Sequence, residues 1–205
     1  MKIKGRLFVT FSAVGYGLSP IFMKLAYAEG ATLLQVQFWR FLIATVLLWV
    51  ICLPLGVMKN VTVDDIPVLF KAGALGGLIF AGITIPQFVA MRYMSPSITQ
   101  VLYFIYPVWV ALISSAITKT RLNPLQWLLL FLLLVSIALT LDFTSVHFSM
   151  TGIMYAMLAS ATSAVYIMFC KLRIFRKYAG LQLGLCIMTG AMVAFTLCYI
   201  FFEPT

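Results

Sequence analysis

The sequence predicts an all-α protein, namely a polytopic bundle of helices that spans a membrane. Of its 205 residues, 63% are hydrophobic and 9% are charged, far from the composition of a soluble domain. The apolar residues form blocks close to the roughly 20 residues that a bilayer-spanning helix requires. These blocks lack the short alternating pattern of transmembrane β-strands. Seven spans are predicted: Leu7–Ala28, Leu33–Met58, Leu69–Met91, Ser97–Ile117, Pro124–Leu141, Met150–Cys170 and Leu181–Phe202.

An internal repeat predicts how the spans are arranged. The pattern Phe-x-Lys-Leu at residues 22–25 recurs at residues 169–172, an offset of 147, and the flanking segments match at 8 of 42 positions. Five spans precede the restart and two follow it. Because five is an odd number, the second copy enters the membrane from the opposite face, as in inverted-repeat transporters. The predicted units are a first repeat at 1–146 and the start of an incomplete second repeat at 147–205.

The distribution of basic residues predicts that the N-terminus is cytoplasmic. When the spans alternate from that side, 11 of the 14 basic residues fall at inner ends, as the positive-inside rule requires. The acidic residues Glu29, Asp142 and Glu203 fall outside. This placement accounts for the net charge of +9 without a nucleic-acid partner, and none is predicted. The inner basic residues are Lys2, Lys4, Arg6, Lys59, Lys71, Lys119, Arg121, Lys171, Arg173, Arg176 and Lys177.

Arg40 is the most informative single residue of the chain. It lies about seven residues into the second span, roughly 10 Å below the outer end. An arginine at the bilayer centre costs about 2.5–3.5 kcal/mol on insertion scales. One interpretation is that Arg40 snorkels to the outer surface; the other is that its cation faces a polar cavity and holds a carboxylate or another polar group. Gln37 shares a helix face with Arg40 and favours a wet vestibule.

The fourth span carries a polar and aromatic stripe. Gln100, Tyr103 and Pro107 follow i, i+3, i+7 spacing and share one face, with Tyr106 beside it. Such a stripe suits a mid-membrane site for small amphipathic solutes, whereas packing and an interfacial aromatic belt are the alternative. The other candidate substrate-binding residues are Tyr16 and Ser19 in the first span, Gln87 in the third and Tyr166 in the sixth.

Some functions receive no support from the sequence. No Asp or Glu lies within a predicted span, so the chain offers no intramembrane carboxylate of the kind that proton-driven transporters commonly use. The chain contains no G-x-S-x-G, H-E-x-x-H or Walker A element, and neither an enzyme nor a cofactor is predicted. His147 is predicted to lie in an outer loop, and the four cysteines show neither a metal-binding nor a disulfide pattern.

Four stretches carry a family resemblance in their joint order. The first span contains AVGYGLSPIFMKLA and the second FWRFLIA, AMRYMSPSITQVLYFIYPVWVALIS runs from the third into the fourth, and RLNPLQW precedes the fifth. Together they resemble the EamA family of the drug/metabolite transporter superfamily. Within this resemblance Arg40 and Pro107 match motif positions. Thr120 stands where the family has a glutamate, and Leu128 and Ser136 replace family glycines.

The resemblance implies two inverted five-helix repeats around a central cavity that carries small metabolites. We therefore expect an integral membrane transporter of amino-acid-like or drug-like solutes, an exporter in the cell (inner) membrane that works by alternating access. Its expected partners are the lipid bilayer, a small-molecule substrate and, because helices 8–10 of the family have no counterpart here, a second copy or a complementing chain. The alternative is a chain that is inactive as truncated, or a non-transporting scaffold or assembly subunit.

Overall fold

The computed structural model describes residues 3–59, 61–119, 123–140 and 149–202. His147 and four charged residues used in the orientation argument, Lys2, Arg121, Asp142 and Glu203, lie outside these ranges. The described residues form eight α-helices: α1 (Ile3–Ala28), α2 (Leu33–Cys52), α3 (Ile66–Tyr93), α4 (Pro96–Tyr103), α5 (Tyr106–Thr118), α6 (Pro124–Thr140), α7 (Met150–Cys170) and α8 (Gly180–Phe202).

The helices confirm the predicted class, an all-α polytopic membrane bundle. Within the described ranges, five helical segments are long and apolar enough to cross a membrane. The apolar stretch Pro124–Ser136 is shorter than these five segments. Helix α1 has 26 residues but is not one of the five. The five segments are Leu33–Cys52, Val63–Tyr93, Pro96–Ile117, Met150–Cys170 and Gly180–Phe201.

Two of the differences from the predicted boundaries lie beside a proline. The second span was predicted to reach Met58, but α2 ends at Cys52 because Pro54 has no backbone N–H with which to continue the helix. The fourth span was predicted as one helix, but it is broken at Phe104 and Ile105. There the Ile105 N–H donates to the Leu102 carbonyl, three residues back, and Pro107 removes a further donor.

Helix α3 begins at Ile66, three residues before the predicted span, at a sequence that favours a helix start. Thr62, Val63, Asp64 and Asp65 form a turn before Ile66, and Pro67 occupies the first turn of the helix. Proline is favoured there because its missing N–H has no partner in the first helical turn anyway. This turn fixes the N-terminal end of the helix on which the rest of the bundle is built.

Helix α3 is the centre of the bundle, between α7 and α8. Its most extensive contacts are with these two helices, and α8 also packs on α2. Glycines bring α3 and α8 together: a Cβ added at Gly73 would lie 2.8 Å from the Cys186 carbonyl oxygen. Small residues permit such close approach of membrane helices. Helices of the segments 1–146 and 147–205 therefore pack directly against one another.

An aromatic cluster fills the junction of α2, α3 and α8. The Phe41 and Phe195 rings stack with centroids 4.8 Å apart, and the Phe80 ring meets Phe41 edge-on at 5.8 Å. Phe195 is fully buried. Offset-stacked and edge-on pairs are the favoured aromatic geometries. The cluster anchors α2 against α8 and thereby fixes the position of the segment that carries Arg40.

An ion-pair cluster joins the predicted cytoplasmic ends of α3 and α8. The Asp65 carboxylate accepts hydrogen bonds from Lys177 Nζ, from the Tyr178 hydroxyl at 2.9 Å and from the Thr62 backbone N–H at 3.0 Å. Asp65 is buried although Lys177 is largely exposed. The hydrogen bond from Lys177 to Asp65 raises the pKa of the Lys177 ammonium. Nearby, Gln182 Nε2 donates to the Val57 carbonyl at 2.7 Å.

We expect Asp65→Asn to lower the unfolding temperature of the purified protein. The amide keeps the size of the side chain but loses the charge that pairs with Lys177. Its NH2 group also replaces one carboxylate oxygen, so that either the Tyr178 hydroxyl or the Thr62 backbone N–H loses its acceptor, and a buried donor left without its acceptor is costly. The measurement is the thermal unfolding midpoint in mild detergent. Asp64→Asn, a neighbouring change at an exposed acid, is the matched control, and equal midpoints for the two variants would contradict a structural role for the cluster.

Candidate functional site

A polar pocket lies between the first four helices. It has a volume of about 80 Å³ and combines one cation, two amides and several hydroxyls with aromatic walls. Helices α1 and α2 supply one side, and α3 and α4 supply the other. The lining residues are Tyr16, Ser19, Arg40, Phe80, Ile83, Thr84, Gln87, Phe88, Gln100 and Tyr103.

Six of the ten predicted substrate-binding residues line this one pocket. Sequence reasoning had placed them on four different spans, and the fold brings them together. They are Tyr16, Ser19, Arg40, Gln87, Gln100 and Tyr103.

Arg40 supplies the only charged side chain among the lining residues. Its guanidinium lies over the Phe88 ring at 5.4 Å and near the Phe41 ring at 5.7 Å from the centroid. Ring faces attract cations, more strongly where water is excluded. Among the described residues, no acidic side chain forms a salt bridge with Arg40. The guanidinium therefore lines the pocket without a protein anion to neutralise it among the described residues.

The amide pair across the pocket joins α3 to α4. Gln87 Nε2 donates to Gln100 Oε1 at 3.0 Å. This bond uses one donor of Gln87 and one acceptor site of Gln100, and each amide has further hydrogen-bonding capacity. Gln87 is buried and Gln100 is half-buried. The pair can therefore both hold the two helices together and offer donors and acceptors to a polar solute.

Tyr103 connects the pocket to α7 through Ser163. Ser163 Oγ lies 2.9 Å from the Ala159 carbonyl oxygen and 3.0 Å from the Tyr103 hydroxyl. A serine hydroxyl has one proton, and the carbonyl can only accept, so Ser163 donates to Ala159 and Tyr103 donates to Ser163. The Tyr103 oxygen then retains acceptor capacity that faces the pocket.

The other four predicted residues lie elsewhere. Gln37 is fully buried, and its two amide atoms have no hydrogen-bond partner among the described residues. Tyr106 and Pro107 line a separate cavity of about 530 Å³ between α5, α6 and α7. The Tyr166 ring packs edge-on against Phe80, with centroids 5.4 Å apart. Tyr166 thus supports a wall of the pocket from outside.

Sequence reasoning missed four residues of α3 that line the pocket. Phe80, Ile83, Thr84 and Phe88 share one face of the helix with Gln87, because residues three and four apart are neighbours. That spacing was a signal available in the sequence. It was hidden because α3 is apolar on several faces and packs against both α7 and α8.

The fold and the pocket together define an integral membrane protein that can hold a small polar solute within a helix bundle. Polar sites within a bundle of membrane-spanning helices are typical of membrane transport proteins. Comparison with protein families agrees: the chain belongs to the EamA-like transporter family, whose model matches residues 3–142. No curated protein and no solved structure matches the chain significantly.

Family membership establishes the broad activity. The protein is a multi-pass membrane transporter of the drug/metabolite type, from a family of transporters rather than enzymes, and its partners are the lipid bilayer and small molecules. The pocket built from α1–α4 lies within the part of the chain that the family model matches.

Proposed function

We propose that the protein carries small amino-acid-like or drug-like solutes out of the cell across the cell (inner) membrane by alternating access. The observation that carries this proposal is the Arg40 guanidinium, which faces a small polar pocket and has no acidic partner among the described residues. A cation inside the membrane is costly unless a partner balances it. A solute carboxylate, or another electron-rich group, would be that partner.

Recognition would divide between the two sides of the pocket. Arg40 would hold the anionic or strongly polar end of the solute, since charge-assisted hydrogen bonds are the strongest available here. Gln87, Gln100 and Tyr103 would bond its neutral polar groups. Phe80 and Phe88 would contact its apolar part. This combination favours small amphipathic solutes over simple ions.

Alternating access would require the pocket to open to one face of the membrane at a time. Helix α4 carries Gln100 and Tyr103 and is bonded to α3 and α7 by two side-chain hydrogen bonds at 3.0 Å. The break at Phe104 and Ile105 separates it from α5. We propose that α4 moves as a short rigid piece about this break, whereas α3 stays fixed by its close packing on α8.

The organisation into inverted repeats, at 1–146 and 147–205, is also part of this proposal, as is a partner in the membrane. Helix α1 makes only limited contact with α2, α3 and α4, and Val14, Ile21 and Phe22 on it are each more than half exposed. A second copy or a complementing chain would cover this helix and close the α1 side of the pocket.

Filling the pocket tests the proposed function. We expect Ser19→Trp to abolish solute counterflow in proteoliposomes, because an indole exceeds the roughly 80 Å³ available. Leu158→Trp, on the exposed face of α7 and away from the pocket, is the control and should retain transport. The assay uses radiolabelled amino acids and cationic and anionic dyes as probes. Absence of counterflow for every probe with the unmodified protein, or equal counterflow in both variants, would contradict the proposal.

A further inference from the structure

An apolar groove is separate from the polar pocket. It lies between α2, α3 and α8 and has a volume of about 510 Å³. Trp49 forms one wall, Leu69 and Leu78 another, and Leu197 the third. Gly73 and Gly190 form its floor, where the absence of side chains lets α3 and α8 touch.

The length of the groove matches one leaflet of a bilayer. Its lining on α3 runs from Ile66 to Leu78, which is about 18 Å at 1.5 Å per residue. Half of the hydrocarbon core is about 15 Å. Because Ile66 is at the predicted cytoplasmic end of α3, the groove extends from the inner surface to about the middle of the membrane.

The polar groups in the groove are already paired, so it suits an apolar occupant. Trp49 Nε1 donates to Thr189 Oγ1 at 3.0 Å, and Thr189 donates in turn to the Leu185 carbonyl at 2.8 Å. A polar ligand would find no unpaired partner in either group. An acyl chain needs only apolar contact.

Positive charge surrounds the inner end of the groove. Lys59 follows the lining residue Met58, and Lys71 lies one helical turn before the lining residue Ala74. Neither lysine forms an ion pair within the described part of the chain. Of the two acidic residues nearby, Asp65 is already paired with Lys177, and Asp64 is exposed. The inner end carries six basic and two acidic residues: Lys59, Lys71, Lys171, Arg173, Arg176, Lys177, Asp64 and Asp65.

We propose that this groove binds an anionic phospholipid of the inner leaflet. One acyl chain lies along Trp49, Leu69 and Leu78, and the phosphate headgroup lies between Lys59 and Lys71. Basic residues next to a membrane attract anionic headgroups, each strengthening binding by roughly fivefold. The lipid covers the seam between α2 and α8 and so stabilises the contact that positions Arg40.

Tryptophan quenching by bromine-labelled lipids tests the proposal directly. In the full chain, Trp39, Trp109 and Trp127 are replaced by Phe, leaving Trp49 in the groove as the reporter. The protein is reconstituted in phosphatidylcholine vesicles that contain increasing fractions of brominated phosphatidylglycerol or brominated phosphatidylcholine. We expect phosphatidylglycerol to quench Trp49 at a fraction roughly 25-fold lower than phosphatidylcholine does, because each of the two lysines contributes about fivefold.

Three variants separate the parts of the proposal. Replacing Lys59 and Lys71 with Ala should remove the preference for phosphatidylglycerol, whereas Lys24→Ala, at the opposite membrane face, should leave it unchanged. Ala74→Leu should fill the groove and weaken quenching by both lipids. A reporter that retains only Trp127, on α6, should show no lipid preference.

Two results would overturn the proposal. Equal quenching of Trp49 by both lipids at every fraction would mean that the groove is ordinary lipid-facing surface. Quenching by neither lipid would mean that a protein segment, for example a helix of a second copy, covers the groove. Neither result depends on solute transport, so the outcome is independent of the proposed function.

Discussion

Gly190→Ala is expected to destabilise the protein more than any other single methyl addition in α8. A Cβ at this position would fall on the Gly73 carbonyl group of α3, and a backbone group cannot move aside as a flexible side chain can. Overpacking a tight core commonly costs about 1–3 kcal/mol, and we expect at least about 3 kcal/mol here. The measurement is the thermal unfolding midpoint, together with the monodisperse fraction in mild detergent.

Gly184→Ala is the matched control in the same helix. A Cβ at Gly184 would have no neighbouring atom within 4 Å, and alanine favours a helix over glycine by up to about 1 kcal/mol. This variant should therefore be as stable as the unmodified protein or slightly more stable. Similar stability of the two variants would show that α3 and α8 do not pack at the Gly73–Gly190 contact.

Arg40→Gln is expected to reduce solute transport by roughly ten- to hundredfold. A hydrogen bond to a charged group contributes about 1.5–3 kcal/mol, which corresponds to that range in affinity. Glutamine keeps hydrogen-bonding capacity but loses the charge. The loss should therefore be largest for solutes that carry a carboxylate, and counterflow of anionic and neutral probes measures the difference.

Two further variants, each replacing an arginine, control for this result. Arg40→Lys retains the charge without the planar fork and should retain part of the transport of anionic probes. Arg92→Gln removes an arginine that lies over the Tyr27 ring at 5.1 Å near the end of α3, outside the polar pocket, and should leave transport close to normal. A loss at Arg92 equal to that at Arg40 would assign the effect to overall charge rather than to the pocket.

The helices were predictable because apolar blocks of span length are a strong and local signal. Met150–Cys170 was predicted to the residue, whereas α3 begins at Ile66, three residues before the predicted start at Leu69. The end of α2 was harder to predict, because Leu53, Leu55 and Met58 continue the apolar pattern although Pro54 ends the helix. The break at Phe104 and Ile105 was missed because apolarity does not report where a helix leaves its hydrogen-bond register.

The types of residue in the site were predictable from the sequence, but which residues line the pocket was less so. Polar residues are rare in membrane spans, so Arg40, Gln87 and Gln100 could be selected from their chemistry alone. Gln37 has the same chemistry as Gln87 and Gln100 and was expected to share a helix face with Arg40, but in the structure it is buried outside the pocket. Tyr106 lies beyond the break and lines a different cavity. Both differences depend on tertiary packing, which cannot be read from the periodicity of a single helix.

Accessibility of the pocket from the two membrane faces tests the central claim most directly. The four cysteines, Cys52, Cys170, Cys186 and Cys198, are replaced by Ser, and Ser19→Cys is introduced into the pocket. A membrane-impermeant thiol reagent is then applied to right-side-out and inside-out vesicles. Alternating access predicts labelling from both faces, with a bound solute slowing both reactions. Labelling from one face alone under every condition, with no protection by any solute, would contradict a transport pathway through this pocket.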